Sequence, residues 1–168
     1  MTRPKPSGAV VEPRQQSSDP HTTEPARSHS GWMARVARPL LVLVADDDDE
    51  SRGLSASFLM QCGFRVLEAK NGAIALDMAS VHDPDVIVMD LDMPVMGGVE
   101  AIERLKSDDR TLAIPVVVLS GSVATNHFKA ERAGCAAYLV KPCDPVDLES
   151  VVRGVAALAS LADPLLPR

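Results

Sequence analysis

Asp46 and Asp47 follow one apolar run, and Asp90 closes a second. Ser120 ends a third, and Lys141 ends a fourth. Carboxylates gathered at one place repel unless a positive charge sits among them. Hard oxygen ligands of this kind suit a divalent cation, and Mg2+ above others. Alone, the acidic run Asp46 to Glu50 reads as a solvated turn. Paired with a strand-terminal Asp90, it reads as a cation site. A hydroxyl (Ser120) and an ammonium on a flexible stem (Lys141) are common surface residues when taken singly. Together with a metal and an attackable carboxylate, they make up a phosphoryl-transfer site.

That reading requires elements that bring the four run ends to one edge. From Pro39 onward, strand and helix patterns alternate. Leu40 to Ala45, Asp85 to Asp90 and Ile114 to Ser120 are continuous apolar runs of the kind buried on both faces of a parallel sheet. Arg65 to Ala69 and Ala137 to Val140 are shorter and mixed, as edge strands are. Helical spacing appears in Leu54, Phe58, Leu59 and Cys62, ended by Gly63. Further helices are expected around Ile74 to Met78, Val99 to Leu105 and Asn126 to Ala133. A last helix starts near Asp144-Pro145 and runs to about Leu161. Asn71-Gly72 reads as a turn signal. Five strands joined by helical crossovers imply an α/β fold with a doubly wound, five-stranded parallel sheet. The order 2-1-3-4-5 follows if strands 1, 3 and 4 are central, giving a flavodoxin-like (βα)5 architecture. That order sets strands 1 and 3 side by side, so Asp46, Asp47 and Asp90 meet at the topological switch point.

The stretches Val42-Leu43-Val44-Ala45-Asp46-Asp47, Asp90-Leu91-Asp92-Met93-Pro94-Val95-Met96-Gly97-Gly98 and Tyr138-Leu139-Val140-Lys141-Pro142 resemble response-regulator receiver domains of two-component systems. The closest pattern is the single-domain, chemotaxis-type receiver. The resemblance covers about residues 39–162. It implies that Asp90 is the phosphoacceptor, with a sensor histidine kinase or a histidine phosphotransfer protein as donor. It implies Mg2+ held by Asp47 directly, Asp46 mainly through water, Asp90, and the backbone carbonyl of Asp92. Lys141 would hold a phosphate oxygen, before a cis bond to Pro142. Ser120 would turn toward the phosphoryl group and Tyr138 would move inward behind it, making these two the switch residues. A downstream target protein would then dock on the helix 4-strand 5-helix 5 face. Such a protein is a switch rather than an enzyme, catalysing only its own phosphorylation and dephosphorylation. The sequence departs from the commonest pattern at Ser120-Gly121, where Thr-Ala is frequent, and at Gly97, where Asp or Asn is frequent.

Two other readings compete. Asp90-Leu91-Asp92 resembles the D-x-D motif of haloacid-dehalogenase-type phosphatases, but that class carries it on its first strand. A receiver-fold scaffold that is not phosphorylated would not need all the acceptor-site residues.

Composition narrows the remaining choices. The formal charge is -6, and residues 1–38 hold six Lys/Arg against three Asp/Glu, so the remainder carries about -9. An acidic domain with one Trp, one Tyr and three Phe is poorly suited to nucleic acid. Cys62, Cys135 and Cys143 share no metal-ligand spacing and read as reduced thiols. No stretch has the length of a membrane helix or a signal peptide, so a cytoplasmic protein is expected. Residues 1–38, rich in Pro, Ser, Thr and Arg, read as a disordered tail. Met33 reads as an alternative start, and 163–168 are expected to form a short C-terminal end without an output domain.

Overall fold

The computed structural model describes residues 38–121 and 125–162. The expectations for the tail, for Met33 and for 163–168 fall on residues outside these ranges. Arg38, grouped with the tail on composition, belongs to the compact unit that continues from it. Its guanidinium forks onto Asp85 at 2.8 and 3.0 Å, and Asp85 also accepts the Leu41 N–H at 2.8 Å.

The order of elements is β1 (Leu41–Ala45), α1 (Asp49–Gln61), β2 (Arg65–Ala69), α2 (Gly72–His82), β3 (Val86–Met89), α3 (Gly98–Ser107), β4 (Val116–Ser120), α4 (Thr125–Ala133), β5 (Ala137–Val140) and α5 (Pro145–Ala162). All strand pairs are parallel, in the order β2-β1-β3-β4-β5. Every residue of β1, β3 and β4 is buried, whereas β2 and β5 are partly exposed, as the expected edges.

The pleat sends alternate residues of the central strands to two cores. Leu43, Ala45, Ile87, Met89, Val116 and Val118 pack with Ala75, Ile102 and Ala130 of α2, α3 and α4. Val42, Val44, Val86, Val88, Val117 and Leu119 pack with Leu59 of α1 and with Leu148 and Val152 of α5. Helices on both faces explain why the central strands read as unbroken apolar runs.

Asn71 lies in the bend between β2 and α2, as its turn signal implies. It caps α2, its side chain accepting the Ile74 N–H at 2.9 Å. Gly72 follows because a Cβ there would lie 2.8 Å from the Met96 carbonyl oxygen. Leu54, on the helical spacing of α1, is 66% exposed. Ala56 and Leu59 are the residues that α1 buries, because the small Ala56 permits close approach to the sheet. Among the described residues, no helix is long and apolar enough to cross a membrane.

Candidate functional site

The register assembles the site. Ala45 stands opposite Met89, so the residues that follow, Asp46 and Asp90, leave neighbouring strands side by side. Asp90 N–H donates to the Ala45 carbonyl at 2.8 Å, and Asp46 N–H to the Ala69 carbonyl at 3.0 Å. On the other side of Asp90, Ser120 ends β4 fully buried, and its carbonyl accepts the Lys141 N–H at 3.0 Å. The Lys141-Pro142 bond is cis.

Lys141 joins the carboxylates. Its Nζ lies 2.6 Å from Asp46 Oδ2 and 3.1 Å from Asp90 Oδ1. Both aspartates are buried, while Lys141 keeps 27% of its side chain exposed. Asp90 Oδ2 accepts the backbone N–H of Asp92 at 2.9 Å. Burial raises the Asp90 pKa above its ordinary 3.8; the Lys141 hydrogen bond and charge, with the Asp92 N–H, offset this only in part, and the Asp46 charge adds to the rise. Burial works against the Lys141 ammonium, yet its bonds to both aspartates prevail and lift its pKa above 10.5.

Asp47 and Asp92 are solvent-exposed beside this pair. As they stand, no three His, Cys, Asp or Glu side chains among the described residues are grouped to hold a metal. The two buried carboxylates converge on the ammonium instead. The charge balance nonetheless suits a divalent cation, because Asp46, Asp47 and Asp90 outnumber Lys141 by two charges. All the offered donors are oxygens, as a hard cation requires.

The rest of the acidic run has other work. Asp48 caps α1, accepting the Ser51 N–H at 2.7 Å. Asp49 pairs with Arg52, whose guanidinium also donates to the Asp46 backbone carbonyl at 2.9 Å and reaches Glu68 at 3.3 Å. Ser51 Oγ donates to Asp46 Oδ2 at 2.9 Å. Sequence reasoning did not single out Ser51 or Arg52. The sequence carries no signal for either contact, because Ser51 Oγ reaches past the cap Asp48 to Asp46.

The loop after Asp90 folds back tightly. Gly98 N–H donates to the Leu91 carbonyl at 2.9 Å, and a Cβ on Gly98 would lie 2.1 Å from the Asp90 carbonyl oxygen. Met96 N–H donates to the Pro94 carbonyl at 2.8 Å across Val95, whose φ is 70°. That is a γ-turn of the strained kind, centred on a β-branched residue. Tyr138, half-buried on β5, meets the His127 ring of α4 edge-on, with centroids 4.6 Å apart. The side chains of Thr125 and Asn126, at the start of α4, lie outside the described residues.

Residues 42–153 match the family described as "Response regulator receiver domain". The response regulator Rre1 of Synechocystis is 34% identical over 73% of this chain and 54% of its own length. The polar-differentiation response regulator DivK of Brucella anthropi is 31% identical over 62% of this chain and 85% of its own length. The chain thus spans about half of Rre1 and most of DivK. The crystal structure of the receiver domain of sensor histidine kinase PA1611 from Pseudomonas aeruginosa superimposes with a TM-score of 0.68 at 22% identity, covering 71% of this chain and 98% of that one. Its magnesium ion is coordinated in the active site cleft.

Proposed function

The chain belongs to the response regulator receiver family, and on that premise we propose that it serves phosphorelay signalling with Asp90 as phosphoacceptor. One observation carries the assignment. Asp90 is the buried carboxylate that ends β3 at the switch point, tied through Lys141 to Asp46 on the neighbouring strand end. A carboxylate oxygen of Asp90 attacks the phosphorus of a phosphohistidine. The O–P bond forms as the N–P bond breaks, and the imidazole leaves with its electron pair. The Asp92 N–H holds Asp90 Oδ2, which fixes the rotamer from which attack occurs. Lys141 turns its ammonium from the carboxylate to a phosphoryl oxygen, and the Ser120 hydroxyl on the adjacent strand end donates to another.

Mg2+, when bound, neutralises charge on the phosphoryl oxygens. Asp46, Asp47, Asp90 and the Asp92 carbonyl would hold it, Asp46 mainly through water. The charge balance of the site supports this, as does the magnesium of the PA1611 receiver.

The donor is a sensor histidine kinase or a histidine phosphotransfer protein. The phosphorylated form addresses a target protein through α4, β5 and α5, where Phe128, Val140 and Val146 are exposed. The protein acts in the cytoplasm, and its chemistry is confined to its own Asp90.

The test is incubation with a small phosphodonor with and without Mg2+, beside Asp90→Asn. A single stable label that needs Mg2+ and Asp90 is the expected result. Continuous release of phosphate would instead indicate a phosphatase, and no label a scaffold.

A further inference from the structure

Asp46, Asp48 and Ser51 form a closed ring of hydrogen bonds at the start of α1. Asp46 Oδ1 accepts the Asp48 N–H at 2.9 Å, and Asp48 accepts the Ser51 N–H at 2.7 Å. Ser51 Oγ returns to Asp46 Oδ2 at 2.9 Å. That same Oδ2 holds the Lys141 ammonium at 2.6 Å. Two kinds of donor therefore share one buried oxygen. One is local and comes from the first turn of α1. The other reaches in from the end of β5.

We propose that Ser51 is a positioning residue that holds the Asp46 carboxylate in place when Lys141 transfers its ammonium to the phosphoryl group. The inference rests on Asp90 being the acceptor. An ammonium has three donor hydrogens and here serves two carboxylates. A phosphoryl group carries about two negative charges and draws the ammonium from them. Asp46 Oδ2 then depends on Ser51, since a buried carboxylate oxygen stripped of donors is costly and rotates toward any that remain. Holding Asp46 still would keep its carboxylate available to the cation that it, Asp47 and Asp90 would hold. Outer donors of this kind commonly change metal affinity by about ten- to a hundredfold.

The test uses the full chain as wild type, Ser51→Ala and Ser51→Thr, each also in a Lys141→Ala background. Ala retains the backbone N–H that Asp48 caps, so the start of α1 survives the substitution. Mg2+ binding is followed by calorimetry and by the amide resonance of Asp48. Without metal, Ser51→Ala melts within a few degrees of wild type, because Lys141 still holds Oδ2. With beryllium fluoride present as the phosphoryl mimic that draws the ammonium away, its Mg2+ affinity falls about tenfold, and Thr restores it. Without the mimic the loss is larger in the Lys141→Ala background, because Oδ2 is left with no donor.

Wild-type affinity in Ser51→Ala with the mimic, or equal losses in both backgrounds without it, overturns the role of Ser51 while leaving Asp90 as acceptor. A lowered melting temperature with unchanged affinity assigns Ser51 to stability alone and also overturns it. A wild-type chain that neither binds Mg2+ nor takes label removes both readings together.

Discussion

Lys141, at the end of the edge strand β5, reaches past the ends of β4 and β3 to bond Asp46 at the end of β1. On the way it contacts Asp90, so one ammonium ties three strand ends together. Removing it leaves the burial of Asp90 and the nearby Asp46 charge without their main opposition. In metal-free protein the Asp90 carboxyl should titrate above 3.8, and Lys141→Ala should move its midpoint further up. Carboxyl-carbon resonances measure this directly, and an unchanged or lowered midpoint would contradict it. With a raised folded-state pKa, the contribution of Asp90 is greatest below its unfolded value and is lost as pH rises through the folded one. The Lys141 contribution is complete below 10.5 and is lost as pH rises through its higher folded value.

Val95 is 86% exposed and holds a left-handed φ in the loop after Asp90. It has almost no packing to lose, so its backbone strain dominates the effect of substitution. Gly, with no Cβ, meets no such strain at positive φ. Val95→Gly should stabilise the fold by about 0.5–1 kcal/mol after the greater freedom of unfolded Gly is offset, read as a rise of a few degrees in melting temperature. Val95→Ala, still an ordinary L-residue at positive φ, should not match it.

Gly98 and Gly53 make a paired test. A Cβ on Gly98 would stand 2.1 Å from the Asp90 carbonyl oxygen, whereas one on Gly53 meets nothing within 4 Å. Gly98→Ala must displace the backbone of the acceptor, and should cost on the order of 2–3 kcal/mol and slow labelling. Gly53→Ala, inside α1, should stabilise by about 0.5–1 kcal/mol. Denaturant unfolding of the two variants gives both signs.

The contrast between those glycines marks what the sequence could disclose. The buried strands were legible because a doubly covered parallel sheet demands unbroken apolar runs, and the strand order followed from which runs were mixed. Asp46, Asp90 and Lys141 were placed together because each ends a strand, and register then leaves them little freedom. The face of α1 was legible in part: Leu59 is buried as its spacing implies, but Leu54 on the same spacing is exposed and the small Ala56 packs instead. The sorting of the acidic run was also hidden. Which of five consecutive acids caps a helix, pairs with Arg52 or enters the site depends on side-chain reach. Ser51 belongs to the same class, because its contact with Asp46 closes only once α1 has begun at Asp49.

Tyr138 and His127 offer a local report on the switch. Their rings meet edge-on at 86° with centroids 4.6 Å apart, so the His127 ring protons lie in the ring-current field of Tyr138. Tyr138 packs on the core face that carries Ala130 and Ala133 of α4. If phosphorylation draws Ser120 toward the phosphoryl group, space opens behind it and Tyr138 moves inward, leaving His127. The His127 ring resonances, assigned by their loss in His127→Gln, should then shift on adding beryllium fluoride with Mg2+. They should approach the positions found in Tyr138→Ala, where the ring is absent in every state. Tyr138→Phe keeps the ring and should respond as wild type does, since the contact is made by the ring rather than the hydroxyl. Asp90→Asn should show no response, because the mimic has no carboxylate to join. Saturating beryllium fluoride that alters the amides around Asp46 and Asp90 but leaves the His127 ring unmoved would confine the change to the acceptor loops. The face formed by α4, β5 and α5 would then not be where a partner reads the signal.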